Sequence, residues 1–246
     1  MQQGIKLKEY FVKNLAELLA SKMIQVHKKF PQKDFIEYVA KDYQKLELKD
    51  RVNLISESLK IHLPDNYANA IDILLQIFGE PNPNETGMFS SYSWLLPVSA
   101  YIENYGLEDF DLSMQTIYQL TQRCTGEYAV RPFIRKYPKS SLVYFSKWSL
   151  DNDFHVRRLS SEGLRPKLPW AKKLDLFIDN YQPVFDILEN LKEDQIKFVQ
   201  KSVANNLNDY LKVNFPPTMK FLNNWAQSDN KHTLWIIKHA QRNLNK

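Results

Sequence analysis

Along almost the whole chain the apolar residues recur at intervals of three and four, and that spacing constrains the fold more than any other feature. Such spacing turns one stripe of a helix toward a core, whereas a half-buried strand needs strict alternation, of which few runs occur. Six glycines and twelve prolines leave too little turn chemistry for a strand-rich protein. Amphipathic helices are predicted over residues 9–28 (Leu15, Leu18, Leu19 and Met23 inward), 34–46, 48–59 and 66–78. Later ones are predicted over residues 112–123, 125–136, 140–149, 153–162, 174–189, 193–213, 217–227 and 231–243. Most are short and paired. Short helices need neighbours to bury their apolar stripes, so the expected fold is all-α, a HEAT-like repeat α-solenoid (an α-α superhelix) with a concave basic groove. One domain is expected over residues 1–246, with the strongest loop signal at residues 79–93 (GEPNPNETGMFSSYS).

A chain that is 43% hydrophobic and 25% charged can bury an ordinary soluble core. Its single cysteine, Cys124, rules out a disulfide framework and argues against a cysteine-based metal site, which suits a reducing, cytoplasmic setting. No apolar run reaches membrane-spanning length, and the first residues lack the apolar segment of a signal peptide. His27, His62, His155, His232 and His239 show no metal-ligand spacing, and no glycine-rich phosphate loop or serine elbow occurs. No metal or other cofactor is expected.

Charge is unevenly placed. Residues 131–173 carry eleven basic side chains against three acidic ones, +8, which leaves −3 on the rest of a chain whose total is +5. A basic middle between mildly acidic flanks fits a local polyanion surface, nucleic acid being the commonest partner, although a solvated helix face would give the same count.

The densest stretch is HVRRLSSEGLRPKLPW, residues 155–170. On a helix over residues 154–162, His155, Arg158 and Glu162 share a face while Val156 and Leu159 turn to the core, so a carboxylate sits among fixed cations. Gly163 is expected to close that helix in a left-handed cap. Arg165-Pro166 and Pro169-Trp170 should then force an extended exit that presents Trp170. Upstream, Glu127 falls on the apolar face of the helix expected over residues 125–136. There it either pairs with Arg131 one turn on, which spacing alone favours, or faces a concave active surface. Asn205, Asn206 and Asn208 are poor mid-helix residues; helix–helix hydrogen bonding explains them at least as well as a ligand does.

At these residues the chain resembles the HEAT-repeat DNA alkylation repair glycosylases, and within them the AlkC branch. The stretches GEYAVRPFIRKYP (126–138), HVRRLSSEGLRPKLPW (155–170) and KSVANNLNDYLK (201–212) carry the resemblance, with WIIKHAQRNLNK (235–246) as the usual last helix. Phe154 stands where the family often has an acid, Lys167 replaces a common arginine, and the immunoglobulin-like domain of longer AlkC members is expected to be missing. The resemblance implies a metal-free enzyme that grips duplex DNA and cleaves the N-glycosidic bond of cationic alkylated bases such as 3-methyladenine. It implies that Glu127 and Glu162 are the catalytic carboxylates and that Trp170 packs at the lesion sugar. Arg158 and Arg165 would hold backbone phosphate, Arg131, His155, Arg157 and Lys167 would line the same DNA surface, and Asn205 is a further inner-groove candidate.

The expected activity is therefore monofunctional excision of 3-methyladenine, with 3-methylcytosine as a further substrate, from double-stranded DNA by a monomer in the bacterial cytoplasm. An oxocarbenium-like sugar is stabilised by a nearby carboxylate, and a cationic base leaves as a neutral group, so little general acid is needed. The alternative is a non-catalytic HEAT-repeat protein that binds distorted or branched DNA. A scaffold for protein partners would instead call for an apolar concave patch.

Overall fold

The computed structural model describes residues 7–87 and 91–244, and every regular element among them is helical: thirteen α-helices and four short 3-10 turns. The chain gathers into two compact units, Met1–Asn82 with Gly87–Cys124, and Pro83–Thr86 with Thr125–Lys246. No helix among the described residues is long and apolar enough to cross a membrane.

The first unit holds α1 (Lys13–Val26), α2 (Gln32–Asp42), α3 (Leu48–His62), α4 (Tyr67–Gln76), α5 (Leu96–Tyr105) and α6 (Phe110–Thr121). Helices α1 to α3 pack in sequence, and α5 joins α3 to α6. The helix α5 was not expected, and its burial explains why. Leu96 through Ile102 are buried without a break, so these seven residues of α5 have no polar face and no amphipathic stripe to read. The expected loop over residues 79–93 has no helix at residues 79–87 or 91–92, while its residues 88–90 lie outside the described residues.

The second unit holds α7 (Val130–Lys136), α8 (Pro138–Trp148), α9 (Phe154–Glu162), α10 (Gln182–Glu189), α11 (Lys197–Val213), α12 (Phe215–Trp225) and α13 (Lys231–Ala240). Here the HEAT-like pairing is plain. Helices α9, α11 and α13 pack in series, and α8, α10 and α12 back them. Prolines sit in the first turn of α8, α10 and α12, where a missing N–H costs nothing. Asn230 caps α13 through the N–H groups of His232 and Thr233, at 2.9 and 3.4 Å. The N-terminus of α11 is satisfied from far away in sequence: the Glu85 carboxylate accepts the Phe198 N–H at 3.0 Å. The expected last helix ends at Ala240, and residues 245–246 lie outside the described residues.

Two expected helices are shorter than their sequence pattern. Residues 125–129 form turns before α7, and residues 178–181 separate a 3-10 turn at Asp175–Phe177 from α10. Pro132 and Pro183 account for both, because a proline fits the first turn of a helix but breaks its interior.

Candidate active site

Helix α9 is set at both ends by short-range chemistry. The Asp153 carboxylate accepts the N–H groups of His155 and Val156 at 2.8 and 3.2 Å, a side-chain N-cap. At the other end the expected left-handed cap is absent: Gly163 keeps right-handed helical angles, φ −63° and ψ −28°. Its glycine is needed for space. A Cβ there would meet the Phe145 ring at 2.9 Å and Val130 Cγ2 at 3.0 Å, so only glycine lets α9 close onto α8 and α7. Glu162 is thereby delivered into the interior between α9 and α11.

The carboxylates and guanidiniums form one chain of ion pairs. Arg158 Nη2 lies 2.9 Å from Glu127 Oε2 and 3.7 Å from Glu162 Oε2. Arg165 lies 2.6 Å from Glu162 Oε1 and 2.9 Å from Asp209 Oδ2. Ser202 donates to Glu162 Oε2 at 2.6 Å, and Thr125 donates to Glu127 Oε2 at 2.8 Å. Glu127, Glu162 and Asp209 are each no more than 6% exposed. The expected partner of Glu127 is therefore corrected. It pairs with Arg158 of α9, not with Arg131, because residues 125–129 are a turn and the one-turn helical spacing does not apply.

The two glutamates are not equivalent. Both oxygens of Glu162 are engaged. Burial works against its charge, but Arg158, Arg165 and the Ser202 hydroxyl outweigh it and hold the carboxyl below the usual range. The bonds to Glu127 all fall on Oε2, and among the described residues none is made to its Oε1. Burial also opposes the charges of Arg158 and Arg165, and their carboxylate partners raise both above the ordinary arginine value. Tyr128 stays firmly protonated, through its burial and the adjacent Glu127 and Glu162 charges. The ion-paired chain thus brings together three carboxylates and two guanidiniums.

Beyond Arg165 the chain turns repeatedly instead of running out extended. Leu164, Leu168 and Leu174 are buried, the Leu174 N–H reaches the Pro166 carbonyl at 3.0 Å, and Lys167, Pro169 and Trp170 are exposed. Trp170 takes a left-handed backbone, φ +59°, and is 63% exposed, the only tryptophan of the five left exposed. The presented tip is present; the extended exit is not.

The remaining expected DNA contacts are differently occupied. Arg131 is buried, and burial with the nearby Arg135 and Arg165 charges pushes it down to about 10. Its guanidinium donates to the carbonyls of Gly163, Arg165 and Lys172. His155 is buried against the Phe154 and Phe198 rings, and Arg157 pairs with Asp194 at 2.6 Å. Asn205 accepts from Arg242 at 2.8 Å, while Asn206 and Asn208 donate to the carbonyls of Ser161 and Ala240, the helix–helix role. Asp209, Ser202 and Thr125 went unread in the sequence. Asp209 lies in the same stretch as Asn205, and an acid on the buried face of α11 was its one signal. Among the described residues no cluster of histidine, cysteine and carboxylate side chains is arranged to hold a metal.

The protein is all-helical, built of HEAT-like pairs, with buried carboxylates interleaved with arginines and an exposed tryptophan on the loop after α9, and the comparisons give its class. The model of the DNA alkylation repair enzyme family matches residues 118–244, just over half of the sequence, and the chain belongs to that family. It is similar to YhaZ of Bacillus subtilis (strain 168), 36% identical over 239 residues that cover 97% of this chain and 64% of YhaZ. It is also similar to the alkylpurine DNA glycosylase AlkC of Pseudomonas fluorescens, solved bound to DNA containing an abasic site analog. That structure superposes with a TM-score of 0.89 at 32% identity, covering 99% of this chain and 66% of the AlkC chain. The chain thus spans about two thirds of the length of each.

Proposed function

We propose that the protein is a monofunctional DNA glycosylase that removes cationic N-alkylated bases, 3-methyladenine and also 3-methylcytosine, from duplex DNA in base excision repair. It works as a monomer in the bacterial cytoplasm. The observation that carries this reading is the chain of three buried carboxylates and two arginines, in which Glu162 has both oxygens engaged while the bonds to the Glu127 carboxylate all fall on Oε2. The AlkC structure supports it from the product side, since its DNA carries an analog of the abasic site that excision leaves behind.

In the reaction the C1′–N bond breaks and its electron pair neutralises the cationic base, so no acid need protonate the leaving group. Positive charge then grows on the sugar. Glu127 faces it, its orientation fixed by Arg158 and Thr125, and a carboxylate aimed at developing charge in a water-poor site is worth far more than one in solvent. Water adds to C1′ and passes its proton to Glu127, leaving an abasic sugar and a neutral free base. Glu162 holds Arg158 and Arg165 in place, and Trp170 covers the sugar from the adjoining loop.

The test is release of methylated base from alkylated duplex DNA, followed by chromatography under single-turnover conditions. Free 3-methyladenine is expected. Tight binding to distorted or branched DNA with no release at any enzyme excess would favour the non-catalytic alternative.

A further inference from the structure

We infer that Arg131 and Arg135 are positioning residues, which lock the loop carrying Trp170 to α7, the helix that directly follows Glu127; this rests on the glycosylase reading above. Both arginines lie on α7, which starts three residues after Glu127. Arg131 Nη1 donates to the carbonyls of Gly163 and Arg165 at 3.2 and 3.0 Å, and its Nη2 donates to that of Lys172 at 2.7 Å. Arg135 Nη2 donates to the carbonyls of Lys172 and Lys173 at 2.9 and 2.7 Å. These five bonds grip both ends of the segment between Gly163 and Lys173. Trp170 sits near its middle.

The choice of acceptor is the informative point. A guanidinium set out to catch phosphate leaves its N–H fork toward solvent, whereas Arg131 is 4% exposed and spends its terminal nitrogens on backbone carbonyls. Backbone acceptors fix the path of the loop without regard to its side chains. One of them, the Arg165 carbonyl, belongs to the residue whose side chain bonds Glu162 and Asp209, so the same grip sets the carboxylate network and the tryptophan together. Trp170 also needs such a grip. Its left-handed backbone is disfavoured for a bulky residue and persists only where the surroundings impose it. One helix therefore fixes the spacing between the carboxylate that meets the sugar and the ring that covers it.

Arg135 is exposed, so Arg135→Met should fold normally and is the primary variant; Arg131→Lys, which keeps the charge but cannot span three carbonyls, is the second. Arg135→Met is expected to raise hydrogen exchange of the amides at residues 167–173 with little change in melting temperature. It should slow single-turnover excision roughly tenfold to a hundredfold, the cost of a small misplacement. In a Trp170→Ala background the same substitution should add nothing further to the rate, and the salt slope of DNA binding should match that of the wild type. Unchanged exchange in both variants would overturn the grip whether or not the protein excises bases. Multiplied losses in the double variant, or a salt slope flatter by one contact, would make Arg135 a phosphate ligand instead. Absence of excision by the wild-type protein would sink the glycosylase reading and leave the exchange experiment to decide the grip.

Discussion

The two units are built from the same kind of short helix, yet they bury different chemistry. The first unit fills its polar interior almost wholly with neutral groups: Ser113 donates to the Gly106 carbonyl at 2.8 Å and shares a 2.8 Å hydrogen bond with Tyr67, and Thr116 and Thr121 donate to their own helix. Arg51 is its buried charge, bonded to the carbonyls of Leu46 and Lys8. The second unit buries Glu127, Glu162, Asp209 and Arg131, and links the three carboxylates through Arg158 and Arg165. Stability does not require that. A buried ion pair is often no better than an apolar replacement, because desolvation takes back the Coulombic gain. The first unit shows that this architecture packs without such a network. The network in the second is therefore what the proposed glycosylase chemistry would draw on.

The contrast is tested most severely by Glu162→Gln, which leaves two arginines facing an uncharged group in the interior. It should cost about 3–5 kcal/mol of stability in urea unfolding at neutral pH. The pH dependence sharpens the point. Glu162 is held below its ordinary value of 4.5 when folded, so its contribution is complete above that value and lost as the pH falls through the lower folded one. The wild type should weaken on that acid side, and the variant should lack this part of the decline. A variant as stable as the wild type would end the argument that the charges are costly to break.

Glu127→Gln should act on the barrier instead. Loss of one charge aimed at the transition state is worth about 2.7–4 kcal/mol, two to three orders of magnitude in single-turnover release. DNA affinity should be unchanged or slightly tighter, since a negative charge near phosphates is removed. Near wild-type release would pass the catalytic role to Glu162.

Trp170→Ala should lower excision by roughly tenfold to a hundredfold, since the loss is one of positioning. Its melting temperature should scarcely move, because the side chain is already 63% exposed. A collapsed melting temperature with normal excision per folded molecule would make it a packing residue. The smallest effect belongs to the first unit, where Ser113→Ala, removing a neutral hydrogen bond, should cost about 1 kcal/mol and leave excision per folded molecule intact. A catalytic defect there would break the comparison itself.

Much of this was legible before any coordinates. Twelve helices have a polar and an apolar face, and that asymmetry is written into residue spacing. The pairing of Arg158 with Glu162 follows from one helical turn, and the exposure of Trp170 follows from the prolines around it. What could not be read has a common cause. The first seven residues of helix α5 are buried without a break and carry no periodic signal. The partner of Glu127 comes from α9, Glu162 is met by Ser202 of α11, and Arg165 by Asp209 of α11, pairs separated by 31, 40 and 44 residues. Arg131 read as part of the DNA surface because its charge was visible, whereas the carbonyls that occupy it are backbone atoms, which every residue has. Local spacing determined the helices and the residues available for chemistry, because helix geometry acts over three or four positions. Which carboxylate met which arginine was decided only when the helices packed, because the desolvation that makes such pairs matter exists only in the assembled interior.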